Sequence, residues 1–440
     1  MSTVAQVAAG KEAPRVVVGQ VEAFLWEMVP LLEPEEQRSG RGAPRVLPSM
    51  LLWVGLMVSV LRGYRSQADL WRLLSLHGLR HYRFAVTDEA VRKRLANGGT
   101  AVLRRLFEQI TEVLSGRLRP YAEELASFAA AVVALDEATL DPVARKLPEL
   151  RNVAKGARVL LPGRVAGLFD VRLQIWRRID HIENPEQNEK AHARSMVEGL
   201  PHGSLILADL GYFAFEWFDE LVGMGHHWVS RLRKRTSYEV IHAFYSKGET
   251  RDLLVWLGKH RADRCRHAVR LVQFRVGAQL FQYVTSVQDP QVLPLPEIAR
   301  LYARRWDIEM AVKLVKRELG LHLLWSSKPD VVLQQVWAVF AIAQILQALR
   351  KEIAGRAGVD VFDVSMPLLV RTLPQFAVDG VDPIEAFVRH GRQGAMIRPS
   401  RRIQVRVPTI TSAELERLPS GTTIERKPRY SHKWGGPKRI

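Results

Sequence analysis

Cysteine is nearly absent from this chain: Cys265 is the only one among 440 residues. A single thiol excludes an intramolecular disulfide and a zinc site with several cysteine ligands, and it is typical of a reducing compartment. The arginines on both sides of Cys265 favour a lowered thiol pKa, but most such thiols are bystanders. We therefore assign Cys265 no function.

Long hydrophobic runs are also lacking. The longest, Met50–Leu61 and Val336–Leu346, are shorter than the ~20 residues that cross a bilayer. The N-terminal segment lacks the apolar core of a signal peptide. We interpret the two runs as buried helices and predict a cytoplasmic protein with no membrane partner.

Acidic residues are scarce relative to basic ones, with 46 Asp and Glu against 64 Lys and Arg and a net charge of +18. This excess predicts a polyanionic partner, most commonly nucleic acid. The basic residues are spread along the chain rather than gathered on one amphipathic segment, which argues against a membrane surface. Residues Arg398–Ile440 hold eleven Lys or Arg against three Glu, which is typical of a disordered tail or of one that lies along DNA.

Apolar periodicity, Pro and Gly divide the chain into six predicted parts. These are a flexible arm (1–45), a helical DNA-binding domain (46–126), the first part of an α/β core (127–222), a β-rich insertion (223–290), the second part of the core (291–372) and a basic C-terminal region (373–440).

In the helical part, Ser49, Ser66 and Thr87 are predicted to cap the helices that follow them. The last of these helices carries Arg92, Lys93 and Arg94, which we expect to be exposed. It follows another helix and a turn-prone stretch, so a helix-turn-helix that binds DNA and a basic surface helix in a bundle are equally compatible with the pattern.

The α/β part is predicted to begin with three strands, a helix and a fourth strand. Two aspartates follow apolar strands in it: Asp136 comes after 130–135 and Asp209 after Leu205–Ala208. An isolated Asp at the end of a strand is usually a turn or cap residue.

A third candidate is a stripe on the predicted helix 296–319. At about 100° per residue, Tyr302, Arg305, Glu309 and Lys316 share an arc of roughly 60°. Metal-dependent phosphodiester chemistry uses a carboxylate that binds the metal ion and cationic side chains that bind phosphates. A solvated amphipathic face is the alternative.

The spacing Tyr302-x2-Arg305-x3-Glu309-x6-Lys316 closely resembles the YREK motif of the insertion-sequence-four type of DDE transposases. The resemblance extends over about 132–349 and includes the Gly211-Tyr212 pair after Asp209. It implies an α/β fold in which a ribonuclease-H-like mixed-sheet catalytic core is interrupted by a β-rich insertion, with an all-helical N-terminal domain and a basic C-terminal tail.

The resemblance implies that Asp136, Asp209 and Glu309 are catalytic and hold two Mg²⁺ or Mn²⁺ ions, since divalent cations of this kind prefer carboxylate oxygens. From the residues alone, Asp141 or Glu137 could replace Asp136, and Asp307 or Glu318 could replace Glu309. The resemblance further implies that phosphates contact Tyr302, Arg305 and Lys316.

Two more DNA contacts are predicted in the insertion. A gapless alignment puts Phe281 where members of this family stack a flipped base on tryptophan, although a core phenylalanine is an equal alternative and Trp228 is another aromatic there. The run Arg231, Arg233, Lys234, Arg235 is expected to contact the DNA backbone.

The implied function is a prokaryotic cut-and-paste transposase, associated with the nucleoid. It would bind the terminal inverted repeats of its own element, pair them as a homodimer and transfer strands through a hairpin. Two alternatives remain: a ribonuclease-H-like nuclease or resolvase without strand transfer, and a non-catalytic DNA-binding protein derived from a transposase. Leu210, at a position where the family commonly has arginine, is a departure that removes no metal ligand.

Overall fold

The structure is a computed structural model. It describes residues 25, 46–77, 83–120, 125–139, 164–182, 189–259, 263–321, 324–326, 328–400 and 407–430. The predicted flexible arm, 1–45, lies outside these residues except for Leu25. By its internal contacts the chain forms two compact units. A helical unit comprises 1–121, 140–162 and 311–400, and a sheet unit comprises 122–139, 163–310 and 401–440.

The described α-helices, in chain order, are α1 (Ser49–Leu61), α2 (Gln67–Arg72), α3 (Asp88–Asn97), α4 (Ala101–Arg117), α5 (Glu189–Val197), α6 (Phe215–Gly223), α7 (Leu295–Arg304), α8 (Trp306–Lys313), α9 (Pro329–Ala357), α10 (Met366–Asp379) and α11 (Pro383–His390). The described strands are β1 (Val132–Thr139), β2 (Arg164–Asp170), β3 (Ile175–Ile182), β4 (Leu205–Ala208), β5 (His227–Arg231), β6 (Tyr238–Lys247), β7 (Thr250–Leu257), β8 (Val269–Val276) and β9 (Gln279–Thr285).

All nine strands form one mixed sheet with the order β3-β2-β1-β4-β5-β9-β8-β7-β6. Strands β1 to β3 are antiparallel neighbours, and β4 pairs in parallel with both β1 and β5. The predicted insertion, 223–290, continues this sheet, because β5 pairs with β4 on one side and with β9 on the other. The mixed α/β class predicted from the sequence is confirmed.

Apolar side chains explain why β1 and β4 lie inside the sheet. Val133, Leu135 and Ile206 belong to one buried cluster with residues of α5 and α6. In that cluster, Trp228 of β5 stacks on Phe218 of α6 with ring centroids 3.8 Å apart. The sheet thus packs against two helices, and burial fixes the strand that carries Asp136 and the strand that precedes Asp209.

The predicted helix 296–319 is not a single helix in the structure. The regular stripe of side chains that was predicted along it is therefore wrong. Helix α7 ends at Arg304, the N–H of Arg305 is shared between the carbonyls of Leu301 and Tyr302, and α8 starts at Trp306. A π-turn, Leu314–Glu318, follows α8. Lys316 lies in this π-turn, so the uniform step of 100° per residue does not extend to it.

In the helical unit, α9 is the central helix. It packs against α1 and α4. Its length and composition would allow a membrane span, but 94% of its apolar stretch of 18 residues is buried inside the protein. Gln344, which interrupts its apolar run, donates to Thr111 Oγ1 at 2.6 Å. The run is therefore a buried helix of this unit, as predicted.

Two of the three predicted caps are present, at α2 and α3. The cap predicted at Ser49 is wrong, because Ser49 is the first residue of α1 and Pro48 occupies the N-cap position. The Ser66 side chain accepts a hydrogen bond from the N–H of Asp69, and that of Thr87 accepts one from Ala90. Each cap satisfies a backbone donor that the helix itself leaves unpaired.

Residues 407–430 of the basic C-terminal region pack onto the sheet unit. Tyr430 donates to Asp219 Oδ2 at 2.7 Å, and Arg426 donates to the carbonyls of Leu257 and Cys265. Burial raises the pKa of the Cys265 thiol, so the lowered pKa favoured by its flanking arginines was wrong. This part of the region is ordered against protein, and residues 401–406 and 431–440 lie outside the described residues.

Candidate active site

Asp136 and Asp209 are brought together by the register of two parallel strands. The pairs run from Val132 with Leu205 to Ala134 with Leu207. Two residues further along, the same register sets Asp136 beside Asp209, which directly follows β4. Because adjacent strands lie about 4.8 Å apart, two carboxylates that are distant in sequence meet at the carboxyl end of β4.

Asp136 is half-buried, and a tryptophan ring covers the strand residue opposite it. Asp136 lies opposite Gly167 on β2, and residues directly opposite each other project to the same face of a sheet. The Trp176 ring fills the space over Gly167, where an added Cβ would collide with it. The glycine thus lets an apolar ring cover the sheet beside the carboxylate.

The pKa of the Asp136 carboxyl group reflects its burial and the charged groups around it. The pKa of Asp136 is raised to about 6. Burial is the largest cause, and the charges of Glu309 and Asp209 also raise the pKa, whereas a backbone hydrogen bond and the charge of Arg305 lower it. The charges of Asp209 and Glu309 therefore both act on Asp136. A protonation equilibrium near neutral pH is a property of many catalytic carboxyls.

Glu137, the neighbouring alternative to Asp136, is engaged elsewhere. Its carboxylate forms an ion pair with Arg164 on β2 at 2.9 Å, and the Glu137 side chain is only 4% exposed. Consecutive strand residues point to opposite faces, so Glu137 faces away from Asp136. The geometry favours Asp136 as the ligand; Asp141 lies outside the described residues.

Arg305 lies between the other two carboxylates. Its guanidinium contacts Glu309 Oε1 at 2.6 Å and Asp209 Oδ1 at 3.8 Å. The residue is 7% exposed. Burial works against its charge, yet Asp209 and Glu309 hold the pKa of Arg305 above its ordinary value. In this conformation the arginine supplies the positive charge that two neighbouring carboxylates require.

Tyr302 completes the group from the last turn of α7. Its hydroxyl donates to Asp209 Oδ1 at 3.4 Å. Burial raises the pKa of Tyr302, so the phenol stays neutral and acts as a hydrogen-bond donor.

The basic run after β5 is exposed and lies close to this group. Arg231, Arg233, Lys234 and Arg235 are all exposed, and the charge of Arg231 acts on the Tyr302 phenol. The run forms a turn in which Arg235 takes a φ of +63°. A cluster of solvated cations beside a carboxylate site is suited to a phosphate backbone.

Phe281 lies on β9 and is half-buried. It stacks on the buried Phe274 with centroids 5.3 Å apart, and Tyr283 links this pair to Tyr302. Trp228, the other aromatic considered, is 1% exposed and belongs to the core. Of the two, Phe281 alone has an accessible face.

The remaining sequence candidates lie in the helical unit. There Arg92 and Lys93 are exposed and pair with Asp88 and Glu89, while Arg94 is half-buried and hydrogen-bonded to Leu47 and Ser49. Our expectation that all three are exposed is therefore wrong for Arg94. Lys316 and the alternative carboxylate Glu318 are half-buried in the same unit.

The carboxylates suit a hard divalent cation in kind. Among the described residues, however, no group of three His, Cys, Asp or Glu side chains has the arrangement of a metal site. The guanidinium of Arg305 instead contacts Asp209 and Glu309. The donor set fits Mg²⁺ or Mn²⁺ chemically, provided that Arg305 releases both carboxylates.

Sequence reasoning missed one contact near the site. Gln174, in the turn between β2 and β3, donates to Asp307 Oδ2 at 2.9 Å, and both residues are buried. Asp307, considered above as an alternative to Glu309, is thereby committed to a structural contact. No sequence signal connects two residues so far apart in the chain.

Comparison with known proteins gives three similarities. Residues 176–345 match the family described as "Transposase DDE domain". Over 165 residues the chain is 28% identical to transposase InsG for insertion sequence element IS4 of Escherichia coli (strain K12). It also resembles the piggyBac transposase in a cryo-EM structure of its synaptic complex with hairpin DNA, with a TM-score of 0.41, 11% identity and coverage of 89% of this chain and 84% of that one.

The match to InsG spans 35% of this chain and 36% of that protein. The chain thus contains a transposase DDE domain match and is a partial homologue of an insertion-sequence transposase. The matched region includes Asp209 and Glu309, whereas Asp136 precedes it.

Proposed function

We propose that this protein is a DDE transposase that cleaves and joins DNA in a metal-dependent reaction. The observation that carries the proposal is the group of Asp136, Asp209 and Glu309 around Arg305. Three carboxylates from separate chain segments, with one cation among them, are costly to assemble for stability alone. The transposase domain match over Asp209 and Glu309 supports the same conclusion.

We propose a ribonuclease-H-like core for the sheet unit. The order β3-β2-β1-β4-β5 supports it, with β1 antiparallel to β2 and parallel to β4. In this order Asp136, which lies inside β1, is beside the carboxyl end of β4, which Asp209 directly follows.

Asp136, Asp209 and Glu309 would hold two Mg²⁺ or Mn²⁺ ions. When bound, such ions activate the attacking oxygen and stabilise the leaving one. The protein's own contribution is to fix the carboxylates and to exclude water beside Asp136 with the Trp176 ring.

Tyr302, Arg305 and Lys316 would hold phosphates near the cleaved bond, Arg305 with two parallel hydrogen bonds and Lys316 as a point charge. The run Arg231, Arg233, Lys234 and Arg235 would contact the DNA backbone, and its exposure supports this role. Phe281 would stack an unpaired base on its accessible face.

We further propose that Arg92, Lys93 and Arg94 belong to a helical domain that binds the terminal inverted repeats. Arg94 would act there indirectly, by fixing Leu47 and Ser49. The protein would act as a homodimer on paired ends, by cut and paste through a hairpin, at the nucleoid in the cytoplasm of a prokaryote. Its net charge of +18 supports a DNA partner.

The test uses the full-length protein, Mg²⁺ and a labelled duplex with the inverted repeats that flank this gene. Asp209→Ala should lower cleavage at least about a thousandfold, since metal binding contributes several kcal/mol to the transition state, and end binding should persist. Glu249→Ala, which removes the same charge from an exposed hairpin, is the matched control.

Each rival has its own outcome in this assay. Cleaved ends without joined products would favour a nuclease or resolvase. Binding without any cleavage by the unaltered protein would favour a transposase-derived DNA-binding protein. Cleavage by Asp209→Ala at the unaltered rate would show that the metal assignment is wrong.

A further inference from the structure

A buried polar contact joins the turn between β2 and β3 to the start of α8. Gln174 Nε2 donates to Asp307 Oδ2 at 2.9 Å and to the carbonyl of Val171 at 2.7 Å. Arg304 Nε lies 2.7 Å from the same Asp307 oxygen. Gln174 and Asp307 are each 2% exposed, and buried hydrogen bonds to a charged group are among the stronger ones in proteins.

The turn is in turn anchored to the strand that carries Asp136. The N–H of Val171 donates to the carbonyl of Val132 at 2.9 Å, at the start of β1. The N–H of Leu173 donates to Asp170 Oδ1 at 2.7 Å. A continuous set of hydrogen bonds therefore runs from β1, through the turn, to α8.

Gln174 occupies its position at a cost. Its φ of +59° is left-handed, a conformation that costs a residue other than glycine about 1 kcal/mol or more. Asparagine and glycine adopt it more easily, but neither reaches as far as glutamine. The contact with Asp307 is an interaction that only the longer side chain supplies.

Asp307 lies in the same helix as Glu309, so its contact with Gln174 affects the position of Glu309. Helix α8 begins directly after the interruption at Arg305, and Asp307 is its second residue. Glu309 follows two residues later. A carboxylate about 6 Å from a helix axis moves about 1 Å when the helix rotates by roughly 10°, and a misplacement of about 1 Å costs on the order of a hundredfold in rate.

We propose that Gln174 and Asp307 are positioning residues, which fix the rotation of α8 so that Glu309 faces Asp136 and Asp209. This inference rests on the proposed function, since it assigns Glu309 to the reaction. It adds a polar connection between the sheet and the helix that neither the motif spacing nor the family match contains.

The test compares three full-length variants. Gln174→Asn accepts the left-handed backbone but is one methylene too short to reach Asp307. Gln174→Met keeps the length but has no N–H to donate. Gln288→Met is the matched control, because it removes a glutamine donor of the same kind, the 2.8 Å contact of Gln288 with the carbonyl of Ala268, and leaves the Asp307 contact intact.

Two measurements are made on each variant. One is kcat and KM for Mg²⁺-dependent cleavage of the labelled duplex. The other is hydrogen–deuterium exchange of the α8 amides without metal or DNA. For Gln174→Asn and Gln174→Met we expect kcat to fall roughly 10- to 100-fold with KM changed less than about twofold, and α8 exchange to accelerate at least about tenfold. Gln288→Met should keep kcat within about threefold and leave α8 exchange unchanged.

The outcomes separate this inference from the proposed function. If the unaltered protein cleaves DNA and both Gln174 variants keep its kcat and its α8 exchange, the positioning role is refuted. If all three variants lose kcat equally, Gln174 acts through general stability and the inference also fails. If the unaltered protein does not cleave, the proposed function is wrong, and α8 exchange still decides whether Gln174 holds the helix.

Discussion

The carboxyl group of Asp136 should destabilise the folded protein at neutral pH. Its pKa lies at about 6, against an ordinary value of 3.8. Between these values the folded protein retains a proton that the unfolded chain has released, so the free energy of unfolding falls as pH rises from about 4 to about 6. A difference of about two pH units corresponds to about 3 kcal/mol, and this penalty persists at higher pH.

Asp136→Asn removes the charge and keeps an oxygen that can accept the 2.9 Å hydrogen bond from the N–H of Glu137. The variant should therefore be more stable than the unaltered protein by about 3 kcal/mol at pH 8 and by about 1 kcal/mol at pH 4.5. A stabilising substitution at a catalytic residue is the trade-off that functional sites often show.

The neighbouring substitution Glu137→Gln has the opposite expected sign. It removes one partner of the buried ion pair with Arg164, and breaking such a pair costs about 3 to 5 kcal/mol. Two isosteric substitutions at adjacent residues should thus differ by about 6 to 8 kcal/mol at pH 8.

The assay is urea unfolding of the full-length protein in EDTA at pH 4.5, 6 and 8. Tryptophan fluorescence monitors the unfolding. An advantage of Asp136→Asn that does not grow with pH would refute the pKa argument. Equal destabilisation by both variants at pH 8 would refute the assignment of Asp136 to the charged cluster.

Two further predictions concern buried arginines. Arg305→Met should raise the affinity of the DNA-free protein for Mn²⁺ about thirtyfold by titration calorimetry, because a competing cation worth about 1 kcal/mol at each of two partly exposed carboxylates is removed. An unchanged affinity would contradict the placement of Arg305. Arg270→Met should lower the free energy of unfolding by about 3 to 5 kcal/mol, because it leaves the fully buried Asp252 without its partner. Adding Asp252→Leu should recover most of that loss, and a single variant within about 1 kcal/mol of the unaltered protein would count against the ion pair.

The sequence was informative where a pattern has a local physical cause. The β4 bounds, Leu205–Ala208, were predicted to the residue. A short apolar run followed by Asp-Leu-Gly is compatible with few structures other than a short strand that ends in a turn. The caps at Ser66 and Thr87 were equally readable, since a hydroxyl before a helix satisfies its free N–H groups. Residue spacing also singled out Tyr302, Arg305 and Glu309, which lie close together.

What the sequence did not contain is long-range geometry. The interruption at Arg305 and the π-turn with Lys316 break a periodicity that looked regular in letters. The contact of Gln174 with Asp307 joins residues more than a hundred positions apart. The commitment of Glu137 to Arg164 depends on strand register, which pattern alone does not specify.

The C-terminal region was expected to be either disordered or laid along DNA, and 407–430 instead complete the sheet unit. Leu415 and Leu418 cover Phe244 and Leu254, contacts that composition could not reveal. The basic character of the segment drew attention to its charge, while its few apolar residues decide where it lies.

That packing has a consequence for biosynthesis. Asp219 accepts hydrogen bonds from Arg266, His267 and Tyr430, and the last of these donors is translated more than two hundred residues after the acceptor. A ribosome must therefore pass Tyr430 before the sheet unit can acquire its full set of internal bonds. A nascent chain that ends before Tyr430 would already contain Asp136, Asp209 and Glu309, but its sheet unit would lack this hydrogen bond. The sheet unit would therefore finish folding only after all three carboxylates had been synthesised.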